Sequence, residues 1–207
     1  MNNRHLKAAV IVFPGTNCEA ETKDACDSFG FDTSLVWHED EIDGFDLVIL
    51  PGGFSYGDHI SSGRVAKFSP VIEKLLNFKG FILGICNGFQ ILCEAGLLPG
   101  VLLTNEKLKF ISKTVEIDFE GKFLNIPIAH HQGNFFFEKE LPSSIKTLKY
   151  TQNPNGSKQN IAGLWDTSKN IMGLMPHPER AFFAEHNSTD GKIIFEEIKK
   201  VLEKCKK

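Results

Sequence analysis

Five cysteines punctuate the chain, and one of them stands where a nucleophile would. Cys86 lies in Gly84-Ile85-Cys86-Asn87-Gly88, between an apolar run and a helical pattern. That is the setting of the G-x-S-x-G nucleophile elbow, with cysteine in place of serine. The flanking glycines permit a tight turn, a helix N-terminus favours thiolate, and the Asn87 backbone N–H points where an oxyanion would form. A second segment, Met175-Pro176-His177-Pro178-Glu179-Arg180, offers a base. Residues i and i+2 of an extended segment project to one side, so Glu179 can sit beside His177, fix its tautomer and stabilise its imidazolium. A third, Pro51-Gly52-Gly53-Phe54-Ser55-Tyr56-Gly57-Asp58, closes another apolar run, and its paired glycines let backbone N–H groups approach a reacting carbonyl.

Taken singly, a buried structural cysteine, a loop histidine and a glycine turn explain these segments as well. Taken together they supply a nucleophile, a base with its orienting acid, and an oxyanion hole, which is the equipment of acyl transfer through a thioester. Cys18 is the rival nucleophile, since it falls in the first turn of a helical pattern, yet no His-x-acid pattern lies near it. Cys93 and Cys205 fall on apolar helical positions. His38 and His59 read as loop residues, and His5 and His186 as solvated. The pair His130-His131 cannot both face one pocket in an extended segment, which argues against a metal site, and the cysteines form no C-x-x-C.

The elements that must position these groups follow from the hydrophobic pattern. In the first half, apolar runs alternate with helical patterns, as parallel strands do with crossover helices. Strands are expected at Ala8 to Phe13, Phe31 to Trp37, Leu47 to Leu50 and Phe81 to Ile85. Thr16-Asn17-Cys18-Glu19 reads as a capping box opening a helix that ends near Gly30. Ser69-Pro70 sets an N-cap and first-turn proline for a helix through Asn77, and Asn87 to Ala95 forms another before Gly96. Beyond Leu102 the pattern turns antiparallel. Thr114 to Phe119 and Lys122 to Ile128 flank Glu120-Gly121 like a hairpin, Lys146 to Thr151 precedes a turn, and Ile161 to Asp166 and Ile171 to Pro176 flank a polar turn. Ile194, Ile198, Val201, Leu202 and Cys205 mark a closing amphipathic helix. The expected architecture is a three-layer α/β domain spanning residues 1–207, with a mostly parallel central sheet covered by helices on both faces and an antiparallel extension in the second half.

At 207 residues and 42% hydrophobic, the chain can bury a full core but cannot hold two large catalytic domains. Its net charge of -3 is spread without a run of five like charges, which argues against nucleic acid or a membrane surface as the main partner. No apolar run approaches the roughly 20 residues of a membrane span, and Met1 to Lys7 leads into no signal-peptide pattern, so the expected location is the cytoplasm, with reduced thiols. Neither a G-x-x-x-x-G-K nor a G-x-G-x-x-G occurs.

The three segments, in this order on an α/β chain, resemble the class I (triad) glutamine amidotransferases, and most closely the branch that serves as glutaminase subunits of phosphoribosylformylglycinamidine synthase. The likeness runs from Phe13-Pro14-Gly15-Thr16-Asn17-Cys18 and Val36-Trp37-His38 through Pro51 to Asp58, Gly84 to Leu92, Gly96 to Gly100, Leu108-Lys109-Phe110-Ile111 and Gly173 to Arg180. The resemblance implies Cys86 as nucleophile, His177 as acid and base, and Glu179 as orienting acid. It implies an oxyanion hole from the Gly53 and Asn87 N–H groups, and glutamine contacts from Gly52, Gln90, His130, Asn134 and Phe135. It further implies no metal or cofactor in this chain, ATP and magnesium in a large partner synthetase, a small third subunit, and transfer of ammonia to formylglycinamide ribonucleotide in purine biosynthesis. Two departures stand out: Gln132 replaces the acid of the usual Ala-His-Gly-Glu-Gly-Asn, and Ser61 and Arg64 replace an arginine and a small residue.

Two other readings compete. A cysteine peptidase or deglycase of the related superfamily would carry histidine directly after the cysteine, where this chain has Asn87. A non-catalytic scaffold subunit would have no need of an intact Cys86, His177 and Glu179.

Overall fold

Each short apolar run of the first half becomes a parallel strand. The computed structural model describes residues 5–53 and 66–205. The glycine-rich segment beyond Gly53, with His59, Ser61 and Arg64, lies outside the described residues. In chain order the strands are β1 Lys7–Val12, β2 Asp32–Trp37, β3 Leu47–Leu50, β4 Phe81–Ile85, β5 Val101–Thr104, β6 Ile111–Phe119, β7 Lys122–His130, β8 Gln132–Phe136, β9 Ile145–Tyr150, β10 Ile161–Asp166 and β11 Ile171–Leu174. Among the described residues the α-helices are α1 Glu19–Ser28, α2 Pro70–Asn77, α3 Asn87–Glu94 and α4 Gly191–Cys205.

Nine strands form one mixed sheet in the order β2-β1-β3-β4-β11-β10-β9-β6-β7. The first five run parallel and the rest antiparallel, so the parallel core and antiparallel extension meet at β11. Every residue of β3, β4, β10 and β11 is buried, which requires cover on both faces of the sheet and explains why the runs of β3, β4 and β11 are continuously apolar. The ends of β6 and β7 alternate instead, as strands with one wet face do. Trp165 on β10 ties the two halves together, its ring 6.3 Å from Phe81 of β4 and 6.2 Å from Phe119 of β6. α1 and α4 meet through Phe29 and Phe195, with Phe182 wedged edge-on between them.

Three local expectations are corrected. Thr16 does not cap α1. Its hydroxyl accepts the Phe13 N–H at 3.1 Å, closing a turn upstream, and the N-cap is Cys18 without a side-chain cap bond. Ser69 does precede Pro70 at the start of α2, but its hydroxyl is engaged with His38 Nδ1 at 2.8 Å. His38 is therefore a buried core histidine and not a loop residue. Cys205 is exposed, although Leu202 in the same last turn of α4 is buried. Strands β5 and β8, which pair with each other outside the main sheet, have no clear counterpart in the hydrophobic pattern.

Among the described residues, no helix is long and apolar enough to cross a membrane.

Candidate active site

Strand order decides which loops meet. β3, β4 and β11 are adjacent and parallel, with Leu50 opposite Gly84 and Ile85 opposite Leu174. Their carboxyl ends therefore emerge side by side, at the edge where open α/β sheets bind ligands. β3 delivers Gly52 and Gly53, β4 delivers Cys86, and β11 delivers His177 and Glu179. Residues from three distant parts of the sequence are thus brought to one cleft of about 390 Å³.

Cys86 sits on the turn between β4 and α3 with φ 50° and ψ -102°, a conformation that L-residues avoid. Its N–H is held by the Leu174 carbonyl at 2.7 Å, and its Sγ lies 3.8 Å from the Ala129 carbonyl. Gly88 has no room for a side chain, because a Cβ there would strike the Leu50 carbonyl, so glycine lets α3 seat directly on β3. The strained turn is imposed by packing on both sides of it.

His177 follows the end of β11. Its backbone N–H donates to the Pro127 carbonyl at 2.8 Å, and its Nδ1 lies 2.6 Å from Glu179 Oε1. Both side chains are buried, Glu179 completely. The expected i, i+2 arrangement is realised with a modification, since Pro178–Arg180 is a short 3-10 turn and not extended chain. Burial by itself would lower the His177 pKa, but the Glu179 carboxylate and the Cys86 sulfur outweigh it and raise the value to about 10. Hence the imidazole is charged at neutral pH and holds a proton to give. Its Nε2 and the second Glu179 oxygen are buried with no hydrogen-bond partner among the described residues. On the charged imidazole this Nε2 carries the proton that a departing nitrogen would take.

The remaining residues expected to touch substrate divide. Gly53, Asn87, Gln90 and His130 line the cleft with Cys86 and His177. Gly53 has φ 102° and bridges to Thr16. Asn87 Nδ2 donates to Gln90 Oε1 at 2.9 Å, and Gln90 Nε2 donates to the Gln132 carbonyl at 2.6 Å. Gly52 lies directly under the base: a Cβ there would be 2.6 Å from His177 Cε1 and 3.5 Å from Cys86 Cβ. Asn134 and Phe135 are not among the residues lining the cleft. Alternation along β8 turns Phe135 into the core, where it stacks on Phe89 at 5.7 Å, while the Asn134 amide is directed at Gly156. The histidine pair is also corrected. Both His130 and His131 line the cleft, because a bend at His131 separates β7 from β8.

Sequence reasoning missed the scaffold behind this wall. Asn105, fully buried, donates from Nδ2 to the Lys109 and His130 carbonyls at 2.8 and 2.9 Å. Its Oδ1 therefore accepts, from Gly133 N–H at 3.1 Å and from His130 Nδ1 at 3.0 Å. That pattern places the His130 proton on Nδ1. Burial, followed by the nearby His177 charge, lowers the His130 pKa to about 4, so this histidine stays neutral beside a charged one. Asn155 and Ser157 brace the same segment through the Gly133 carbonyl at 2.7 and 3.2 Å. The signal in the sequence was slight: a polar residue closing the apolar run at 101–104.

Asn17, Cys18, Phe110, Ala129, Gln132 and Arg180 complete the lining. Burial drives the Cys18 thiol pKa well up despite the Arg180 charge beside it, which disfavours its thiolate.

Comparison with known proteins gives the same picture. A model of the CobB/CobQ-like glutamine amidotransferase domain matches residues 5–146 and 140–202. The phosphoribosylformylglycinamidine synthase subunit PurQ of Ruegeria pomeroyi is 43% identical over 212 residues, covering 92% of this chain and 96% of that one. The same subunit of Helicobacter hepaticus is 44% identical over 220 residues, covering 96% and 99%. A chain in the structure of PurLQS from Thermotoga maritima superposes with a TM-score of 0.89 at 39% identity, over 96% of this chain and 100% of that one. A putative GMP synthase subunit from Thermoplasma acidophilum, 18% identical with a TM-score of 0.73 over 99% of this chain and 98% of that one, shares the fold. The chain therefore belongs to the glutamine amidotransferase family, in its phosphoribosylformylglycinamidine synthase PurQ branch.

Proposed function

We propose that this chain is the glutaminase of phosphoribosylformylglycinamidine synthase, hydrolysing L-glutamine to glutamate and ammonia at Cys86. The observation that carries the reading is a strained cysteine at the β4–α3 turn sharing a cleft with a buried, charged His177–Glu179 pair. The Cys86 sulfur, its proton held on His177, attacks the side-chain amide carbon. The N–H groups of Gly53 and Asn87 face the tetrahedral oxyanion, a type of contact whose loss costs roughly 10²- to 10³-fold in rate. His177 gives its proton to the departing nitrogen, ammonia leaves, and a γ-glutamyl thioester remains on Cys86. His177, now neutral, takes a proton from water as it attacks the thioester, and glutamate is released.

The ammonia is used by the partner. The chain works with a large synthetase and with a small third component; the similar Thermotoga chain comes from a structure named PurLQS, which supports a shared assembly. In our reading ATP and magnesium act in the synthetase, the hydrolytic steps here use protein groups alone, and the complex works in the cytoplasm, where all five thiols stay reduced. The test is glutamate release from L-glutamine by the chain assembled with its synthetase, wild type against Cys86→Ala. Glutamate formed by the wild type and lost in the variant is expected. Equal release by both would remove Cys86 from the chemistry.

A further inference from the structure

Among the described residues that line the cleft, Arg180 is the one with a permanent charge. It is not used by the thioester chemistry. Its guanidinium leaves the Pro178–Arg180 turn and reaches α1, where Nε and Nη2 donate to the same Glu21 oxygen at 2.8 and 2.6 Å. Nη2 also contacts Cys18 Sγ at 3.1 Å. Nη1, with two further N–H donors, makes no hydrogen bond to any described residue. The side chain is 34% exposed, so it stands at the mouth of the cleft, whereas the triad lies at its floor.

Glutamine brings two charges into this space. With its amide carbon at Cys86, its α-carbon stands one side-chain length nearer the mouth, carrying a carboxylate that needs a donor. Gln90, expected from resemblance to hold this end, is already engaged at both ends of its amide, with Asn87 and Gln132. Arg180 offers an unspent pair of N–H groups and a fixed charge, and Glu21 anchors the fork so that little freedom is lost when a ligand arrives. We infer that Arg180 is the residue that selects the α-carboxylate of the substrate, with Glu21 as its anchor on α1. This rests on glutamine being the substrate.

The test uses the assembled complex and two substrates, L-glutamine and L-glutaminamide, which differ in having a carboxylate or a neutral amide at the α-carbon. A charge-assisted hydrogen bond is worth roughly 10- to 100-fold in selectivity. The ratio of kcat/KM for glutamine over glutaminamide should therefore fall by about that factor in Arg180→Gln, chiefly through KM for glutamine, with partial recovery in Arg180→Lys. A loss shared equally by both substrates, leaving the ratio as in wild type, would overturn the assignment and make Arg180 a brace for the triad turn. If wild type releases no glutamate from glutamine, the glutaminase reading itself fails. Hydrolysis with an unchanged ratio sinks this inference alone.

Discussion

One close approach at the site is also easy to disturb. Gly52 has no positive φ, so alanine can adopt its backbone conformation without strain, and what an added methyl meets is His177. The new Cβ would lie 2.6 Å from His177 Cε1. Carbon atoms settle at about 3.5 to 4.0 Å, so the imidazole must retreat by about 1 Å. It has little freedom to do so, since Nδ1 is tied to a buried Glu179 at 2.6 Å and the backbone N–H to Pro127 at 2.8 Å. A displacement of that size typically costs on the order of 10²-fold in rate. The overpacking itself should cost roughly 1 to 3 kcal/mol, lowering the melting temperature by several degrees without unfolding the chain. We expect Gly52→Ala to lower kcat for glutamate release by about 10²-fold in the assembled complex. Synthesis driven by added ammonium salt, which bypasses this site, should persist. A variant with kcat within threefold of wild type would refute the view that the base is held rigidly against Gly52.

Other perturbations have definite signs. Glu179→Gln removes the charge that raises the His177 pKa and leaves the burial that lowers it. Turnover should fall by roughly 10³- to 10⁴-fold, and the alkaline limb of the pH profile should move from near 10 to neutral pH or below. Asn105→Ala strands the Gly133 and His130 donors and two carbonyls, and should cost roughly 3 kcal/mol in urea unfolding. Stability should also follow pH through the two cleft histidines. The His177 contribution is complete below 6.5 and is lost as pH rises toward about 10, because its folded pKa is raised. His130, with its folded pKa lowered to about 4, costs stability as pH falls from 6.5 toward that value. Urea midpoints measured across pH should thus peak near 6.5, with a gentler acid limb in His130→Gln.

The sheet core was legible because burial on both faces leaves a plain mark. Leu47–Leu50, Phe81–Ile85 and Pro70–Asn77 stand where punctuation by proline and glycine placed them. The elbow and the His-x-Glu pair were legible for a related reason: their chemistry is local in sequence. What escaped notice depends on contacts far apart along the chain. Whether His38 is loop or core is settled by Ser69, 31 residues away; Thr16, by contrast, chose between two local roles, capping α1 or accepting the Phe13 N–H three residues back, which the pattern alone does not separate. Asn134 and Phe135 were assigned by motif, yet the face each presents is set by how β8 pairs with β5. The bend at His131 undid the argument that two adjacent histidines must point apart.

The position of β11 in the sheet bears on how the molecule comes into being. It is the seam where β2-β1-β3-β4 on one side meets β10-β9-β6-β7 on the other, yet among the described strands it is the last to be synthesised. Leu174 must find Ile85 across about ninety residues of intervening chain, a closure whose entropy is recovered only when both neighbours are ready to receive it. The antiparallel half, built from hairpins, has short loops to close and can form ahead of that step. Docking of β11 then joins the halves and carries His177 to Cys86 in the same event. A growing polypeptide accordingly holds its thiol without a base until this strand is in place, and the onset of glutaminase activity doubles as a clock for the final long-range step of folding.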